Sequence, residues 1–149
     1  MKIDIRQIVS GEDELILRYR ELTPRIQKIM DAVSNGETRL YGRIDSETVS
    51  LSVDDILYIE TVDDKTFAYT EKEIIRLDGS LARLQEELRD ERLFRCSRSM
   101  IMNIDKVDRL RALSSNRIDA TMHNGEHIII SRTYASDFRR ILKGGRREG

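Results

Sequence analysis

The sequence predicts a mainly β protein with short helices, of the α+β class, in which an elongated β domain follows an N-terminal β-hairpin and helix. Apolar and polar residues alternate in many short segments, as in half-buried strands. These segments are rich in Ile, Val, Thr, Tyr and Phe, which favour strands. The chain has one proline and no low-complexity linker, so a continuous β-rich fold is expected.

Residues 1–38 are predicted to form a separate N-terminal unit. Apolar residues alternate with polar ones at 3–5 and again at 15–19. The segment 10–13 between them reads Ser-Gly-Glu-Asp, which is typical of a turn. We therefore expect these two segments to pair as a hairpin.

A helix is predicted to follow this hairpin. Thr23 is a favoured N-cap and Pro24 is favoured at the first helical position. Asn35 and Gly36 tolerate the left-handed backbone that ends a helix. The apolar stripe of the helix, spaced i, i+3, i+4 and i+7, consists of Ile26, Ile29, Met30 and Val33.

Five strands and a short helix are predicted next. The strands are 40–44, 48–51, 56–62, 66–70 and 73–77. Residues 63–65 and 71–72 are tight connections between strands. Ser80 is expected to cap a helix whose apolar face contains Leu81, Leu84 and Leu88.

Three more strands and a last helix are predicted in the second half. The strands are 107–113, 117–123 and 127–130, with Asn124-Gly125 as a hairpin dipeptide. Residues 93–103 show no clear period, and no element is assigned to them. Ser131 or Thr133 can cap the last helix, which Lys143-Gly144-Gly145 ends. Its apolar stripe consists of Tyr134, Phe138, Ile141 and Leu142.

Charge is unevenly distributed along the chain, whose net charge is −1. Residues 95–149 contain 12 Lys and Arg against 6 Asp and Glu, whereas residues 1–94 contain 14 against 21. The local field decides which partner a surface attracts. The basic end could therefore dock on phosphates while the acidic end faces away. An ordinary mixed-charge surface is the alternative.

The sequence offers little for catalysis, metal binding or membrane insertion. It contains no phosphate-cradling glycine motif and no run of the roughly 18 apolar residues that a membrane span needs. His123 and His127 have no clear carboxylate partner, and Cys96 is expected to be a small core residue. The acidic pairs at 54–55 and 63–64 are expected to be solvated turns. We therefore expect a cytoplasmic, non-enzymatic protein without a cofactor, metal or small-molecule substrate.

Three short segments place a hydroxyl group beside a cation. Hydroxyls and backbone N–H groups bind phosphate oxygens, and arginine can also form a bidentate bond to guanine. The third segment begins a predicted helix, whose positive end favours a phosphate. Surface salt bridges are the alternative for each segment. The candidate residues are Lys65 and Thr66, then Ser97, Arg98 and Ser99, and finally Ser131, Arg132 and Tyr134.

A longer ordered pattern resembles the LytTR DNA-binding domain of bacterial transcription regulators. It consists of Tyr58-Ile59-Glu60, Lys65-Thr66, Phe94-Arg95-Cys96-Ser97-Arg98-Ser99-Met100-Ile101-Met102-Asn103 and Ile130-Ser131-Arg132-Thr133-Tyr134. The family's central motif reads F-x-R-x-H-R-S-x-x-V-N, with a later S-R-x-Y, and the order and spacing fit over residues 39–142. Ser97 stands where histidine is usual. Met100 and Met102 replace aromatic or β-branched residues, and these departures bear on sequence preference.

The resemblance implies an elongated β fold whose loops, rather than a recognition helix, enter successive major grooves of a direct-repeat site in double-stranded DNA. By motif position it implies that Arg98 and Arg132 contact bases. Thr66 falls at the first contact loop, with Lys65 as a phosphate partner. The implied function is sequence-specific transcription regulation. The alternative is a LytTR-like interaction module that modulates another regulator without binding DNA tightly.

The same resemblance divides the chain into parts. Residues 39–143 form the LytTR-like domain, and residues 144–149 are predicted to be a disordered tail. The chain has no room for the receiver or sensor found in most relatives, so it resembles the stand-alone members. The unit 1–38 could dock on its own DNA-binding domain, pair with a second copy as a homodimer, or receive a signal.

Overall fold

The computed structural model of the protein describes residues 1–33 and 38–145. The chain divides into two units, Met1–Ser34 and Asn35–Gly149. Within the described ranges, no helix combines the length and apolarity needed to cross a membrane.

The first unit contains the predicted helix, α1, at Pro24–Val33. The Thr23 hydroxyl accepts the backbone N–H of Ile26 at 3.2 Å, so Thr23 acts as the N-cap and the prediction is confirmed. The predicted stop at Asn35-Gly36 lies outside the described residues.

The predicted N-terminal hairpin is wrong, because residues 1–23 contain no strand. Most apolar side chains of this segment are exposed, with Ile5 88% and Leu15 67% accessible. An isolated two-stranded hairpin is only marginally stable in water, since it needs a further surface to cover its apolar face. The alternating pattern indicates strand propensity but does not supply that surface.

The second unit is built mainly from strands. Its described part contains β1 Arg39–Ile44, β2 Glu47–Ser52, β3 Tyr58–Val62, β4 Lys65–Tyr69, β5 Ile74–Leu77, β6 Leu93–Ser97, β7 Met100–Asn103, β8 Val107–Leu113, β9 Arg117–Met122 and β10 His127–Ile130, with the helices α2 Leu81–Leu88 and α3 Arg132–Arg140. The strands predicted for this unit are all present, with ends shifted by at most two residues. Strands β6 and β7 occupy residues 93–103, for which the sequence pattern predicts no element.

The strands form two antiparallel sheets. The larger has the order β2-β1-β5-β4-β3-β7-β6, and the smaller has the order β10-β9-β8. Every strand pair is antiparallel. This mainly antiparallel β architecture, with three short helices in the described residues, confirms the predicted fold class.

Two apolar cores lie on opposite faces of the strands β3 and β7. Ile59 and Ile101 are register partners that belong to the core covered by α2. Their neighbours Tyr58 and Met102 are also partners and belong to the core shared with the smaller sheet and α3. Successive residues of a strand point to opposite faces, so these central strands are buried on both sides.

Local chemistry favours the start of α2 and the end of α3. The Ser80 hydroxyl accepts the N–H of Arg83 at 3.2 Å and caps α2, as predicted. Helix α3 passes into a π-helical turn at Ile141–Gly145, in which Gly144 adopts φ 108°. That left-handed backbone suits glycine and confirms the predicted stop. Of the predicted tail 144–149, residues 146–149 lie outside the described residues.

Candidate nucleic-acid interface

The turns that follow β3 and β6 lie at the same end of the larger sheet. Strands β3 and β7 are antiparallel, with Glu60 opposite Met100, so the end of β3 lies beside the start of β7. The backbone N–H of Thr61 donates to the Ser99 carbonyl at 2.9 Å. The β3–β4 turn, which contains Asp63, is therefore a neighbour of the β6–β7 turn, which contains Arg98.

The head of α3 is joined to this same end through β6. The backbone N–H of Ser131 donates to the Cys96 carbonyl at 2.9 Å. Cys96 lies at a register shift between Arg95 and Ser97, where β6 bulges against β7. The bulge directs this carbonyl out of the regular ladder. The fold thus brings together three segments that lie far apart in the sequence.

The central turn is held in shape by Arg95. Its Nε donates to the Ser97 carbonyl at 2.8 Å, and its Nη2 donates to the Arg98 carbonyl at 2.6 Å. The Ser99 N–H donates to the Ser97 hydroxyl at 3.4 Å. Arg95 thus positions the turn from within, while Arg98 is exposed. In the sequence Arg95 is recognised only as part of the family motif, and no local signal reveals its bracing role.

The remaining candidates differ in how accessible they are. Lys65, Ser99 and Arg132 are exposed. Ser131 is half-buried and occupies the N-cap position of α3, but its side chain makes no capping hydrogen bond. Tyr134 is half-buried and packs against the core beneath α3, so part of its ring contributes to the stability of the fold. The cations Lys65 and Arg132 are therefore accessible at this end, whereas Ser131 and Tyr134 are partly covered.

Thr66 differs from the other candidates because it is buried, with 4% of its surface accessible. Its hydroxyl donates to the Gly79 carbonyl at 2.9 Å and lies 3.4 Å from the Thr61 hydroxyl. These contacts tie the start of β4 to the segment that enters α2. In this conformation Lys65 is the residue of the pair that faces solvent.

Replacing Thr66 with valine is expected to lower the free energy of unfolding by about 0.5–1.5 kcal/mol, because the exposed Gly79 carbonyl exchanges its hydrogen bond from the hydroxyl for one from water. Urea denaturation measures this loss. DNA affinity of the folded variant is expected to equal that of the wild type. Unchanged stability combined with weakened DNA binding would instead assign the hydroxyl to DNA contact.

The electrostatics of this end combine cations with an acidic turn. Asp63 and Asp64 adopt φ values of 51° and 63° and form the β3–β4 turn. Both are exposed, which confirms the predicted solvated turn. They lie beside Lys65 in the chain, so a phosphate approaching this lysine meets two carboxylates as well. Phosphate binding here therefore depends on where these carboxylates point in the complex.

Cys96 and the two histidines show no arrangement typical of an active site. Cys96 is fully buried, its thiol donates to the Met100 carbonyl at 3.5 Å, and burial raises its pKa to about 12. A thiol that stays protonated is a poor nucleophile. His127 Nδ1 lies 2.9 Å from Asp119 Oδ1, so the expectation that this histidine lacks a carboxylate partner is wrong. No group of three potential metal ligands occurs within residues 1–33 and 38–145.

The model of the LytTr DNA-binding domain family matches residues 46–143 of the chain. The chain belongs to this family. The LytTR domain is a non-enzymatic DNA-binding domain of transcription regulators, and the match includes the β6–β7 turn and the head of α3. DNA binding through this domain and a role in transcription regulation are therefore established at the level of the family.

Similar proteins support the assignment. Sensory transduction protein LytT of Bacillus anthracis is 27% identical over 100 residues, which cover 67% of this chain and 41% of that protein. LytT of Bacillus subtilis strain 168 is 21% identical over 129 residues, or 87% of this chain and 54% of that protein. The matches thus span about half or less of these relatives. A solved LytTr DNA-binding domain from Bacillus cereus is 25% identical, with a TM-score of 0.67 over 72% of this chain and 98% of that one.

Proposed function

We propose that the protein is a cytoplasmic, sequence-specific transcription regulator that inserts loops into successive major grooves of a direct-repeat DNA site. The observation that carries the proposal is the meeting of three separated segments at one end of the LytTR domain. One hydrogen bond joins Thr61, at the end of β3, to Ser99 in the β6–β7 turn. Another joins Ser131, where α3 begins, to Cys96 in the β6 bulge. Loops fixed by such bonds present side chains to DNA with little loss of entropy.

Within this surface we assign base contacts to Arg98 and Arg132. Both side chains are exposed, and one lies in the braced β6–β7 turn while the other lies in the first turn of α3. Arginine can bind guanine O6 and N7 with two parallel bonds. We assign phosphate contacts to Lys65, Ser97, Ser99 and Ser131, and a supporting contact to Tyr134.

A duplex selected by the protein from a random pool is expected to bind at least about 10³-fold more tightly than a scrambled duplex of equal length. Binding of both is expected to weaken steeply with salt, because each phosphate contact releases counterions. Fluorescence anisotropy at several salt concentrations measures both quantities. Equal affinity for the two duplexes would contradict sequence-specific regulation.

A second function is favoured by the exposed apolar side chains of the first unit. Ile3, Val9 and Ile16 are at least 72% accessible, which is unusual for residues of this kind unless a partner covers them. In this alternative the chain binds another regulator, or a second copy of itself, through residues 1–23, and modulates transcription with little DNA affinity. Deleting residues 1–23 would then abolish the effect on transcription, whereas the lead proposal requires that the remaining chain still bind its selected duplex.

A further inference from the structure

The smaller sheet has one buried face and one outward face. Ile118, Ala120 and their partners Ile130 and Ile128 are buried in the core beneath α3. The intervening residues point the other way, since side chains alternate along a strand. The outward face therefore contains Arg109, Arg111, Leu113, Arg117, Asp119, Thr121, His127 and Ile129.

Arginines dominate the charge of this outward face. The side chains of Arg109 and Arg111 are 83% and 75% accessible, and Arg117 is also exposed. Asp119 is the carboxylate that faces them from β9. It is 9% accessible and accepts from Arg111 at 3.3 Å, with His127 Nδ1 2.9 Å away. A buried carboxylate of this kind fixes the orientation of its partners while three guanidinium groups remain in solvent.

Asp108 is a second carboxylate that lies close to this face. Its Oδ2 lies 3.8 Å from Arg109 Nε, and both side chains are mostly exposed. Ion pairs between exposed side chains contribute little, because water and salt screen them. Arg109 therefore remains available to a stronger anionic partner.

The arginines begin beside the interface already described. Ile118 pairs with Ile130, so the preceding Arg117 lies next to Ser131, where α3 begins. Arg111 and then Arg109 follow along β8 on the same face, with alternate residues about 7 Å apart. The result is a row of cations that leads from the head of α3 along the smaller sheet.

We propose that this outward face binds the phosphate backbone of the duplex that the loops engage, beyond the base-contacting segments. The proposal rests on the proposed function and adds a second, sequence-independent contact surface to it. The exposed guanidinium groups suit phosphates in charge and geometry. The large apolar residues of the face are Ile129, which is 42% accessible, and the half-buried Leu113. Two such residues are too few for an apolar protein partner.

The variant R109Q/R111Q/R117Q is expected to reduce the slope of log affinity against log salt by up to about 2.7, at about 0.9 for each phosphate that the variant no longer neutralises. Affinity should fall by the same factor for the selected and the scrambled duplex, because phosphate contacts carry no sequence information. Anisotropy titrations over a range of salt concentrations measure the slope. The control variant R39Q/K72Q/R83Q removes the same charge from exposed positions outside the sheet face, and its slope should match that of the wild type.

Two results would overturn the inference. One is a wild-type slope in the triple variant, and the other is an affinity decrease confined to the selected duplex, which would indicate base reading. The variant R109Q/R117Q keeps the Arg111–Asp119 pair and should reduce the slope by about two thirds as much, so a folding defect at Asp119 cannot imitate the effect. If the wild type itself failed to distinguish the duplexes, the proposed function would fail. The inference alone would fail if the wild type distinguished the duplexes but the triple variant kept the wild-type salt slope.

Discussion

Replacing Arg98 and Arg132 together with alanine is expected to cost about 2–6 kcal/mol in binding to the selected duplex. Each bidentate contact between arginine and guanine contributes about 1–3 kcal/mol of discrimination. The two residues lie in different segments of the interface, so their contributions should be close to additive. Anisotropy titrations of the single and double variants against selected and scrambled duplexes measure both the affinity and the specificity.

Lysine substitutions distinguish the recognition of bases by the two arginines from the attraction of their positive charges to phosphates. The variant R98K/R132K keeps both positive charges but loses the planar fork, so its salt dependence should persist while its preference for the selected duplex falls. Arg89→Ala, at an exposed position after α2, is the matched control and should leave both quantities unchanged. A double alanine variant that still prefers the selected duplex as strongly as the wild type would refute the assignment of these two arginines.

Local sequence chemistry predicted the starts of α1 and α2 and most strands. Ser80 caps α2 through its hydroxyl, and Thr23 caps α1 in the same way. Strands with one solvent-exposed face, such as β1, show the alternation that predicts them. In contrast, β6 and β7 place successive residues in two different cores, as Ile101 and Met102 do. Such strands have no alternation to read, because both faces are apolar.

The candidate site was predicted in outline from the ordered motif, but its geometry was not. The meeting of the turns depends on the register of β3 with β7, which joins Thr61 to Ser99 across 38 residues of chain. The burial of Thr66 depends on a carbonyl at Gly79, and the bracing role of Arg95 depends on the path of a turn. These contacts are set by tertiary structure, so residue type and spacing do not reveal them.

Asn103 closes the family motif, and the structure gives it a role in stability rather than in DNA contact. It is fully buried, and its amide donates to the carbonyls of Val53 and Ile56 at 3.1 and 2.9 Å. Its side-chain oxygen accepts the N–H of Asp105 at 3.0 Å. One side chain thus satisfies three backbone groups, and it anchors the segment before β3 to the end of β7.

Asn103→Ala is therefore expected to lower the free energy of unfolding by about 2–5 kcal/mol, because the buried Ile56 carbonyl loses the donor that Asn103 supplies, the Val53 carbonyl keeps only the N–H of Ile56, and a cavity forms. Urea denaturation measures the decrease, provided that the slope of the transition matches that of the wild type. Asn124→Ala, an exposed asparagine in the β9–β10 turn, is the control and should cost at most about 1 kcal/mol. Folded Asn103→Ala protein should retain wild-type DNA affinity, since Asn103 lies inside the sheet. Wild-type stability combined with abolished DNA binding would place Asn103 in the interface instead.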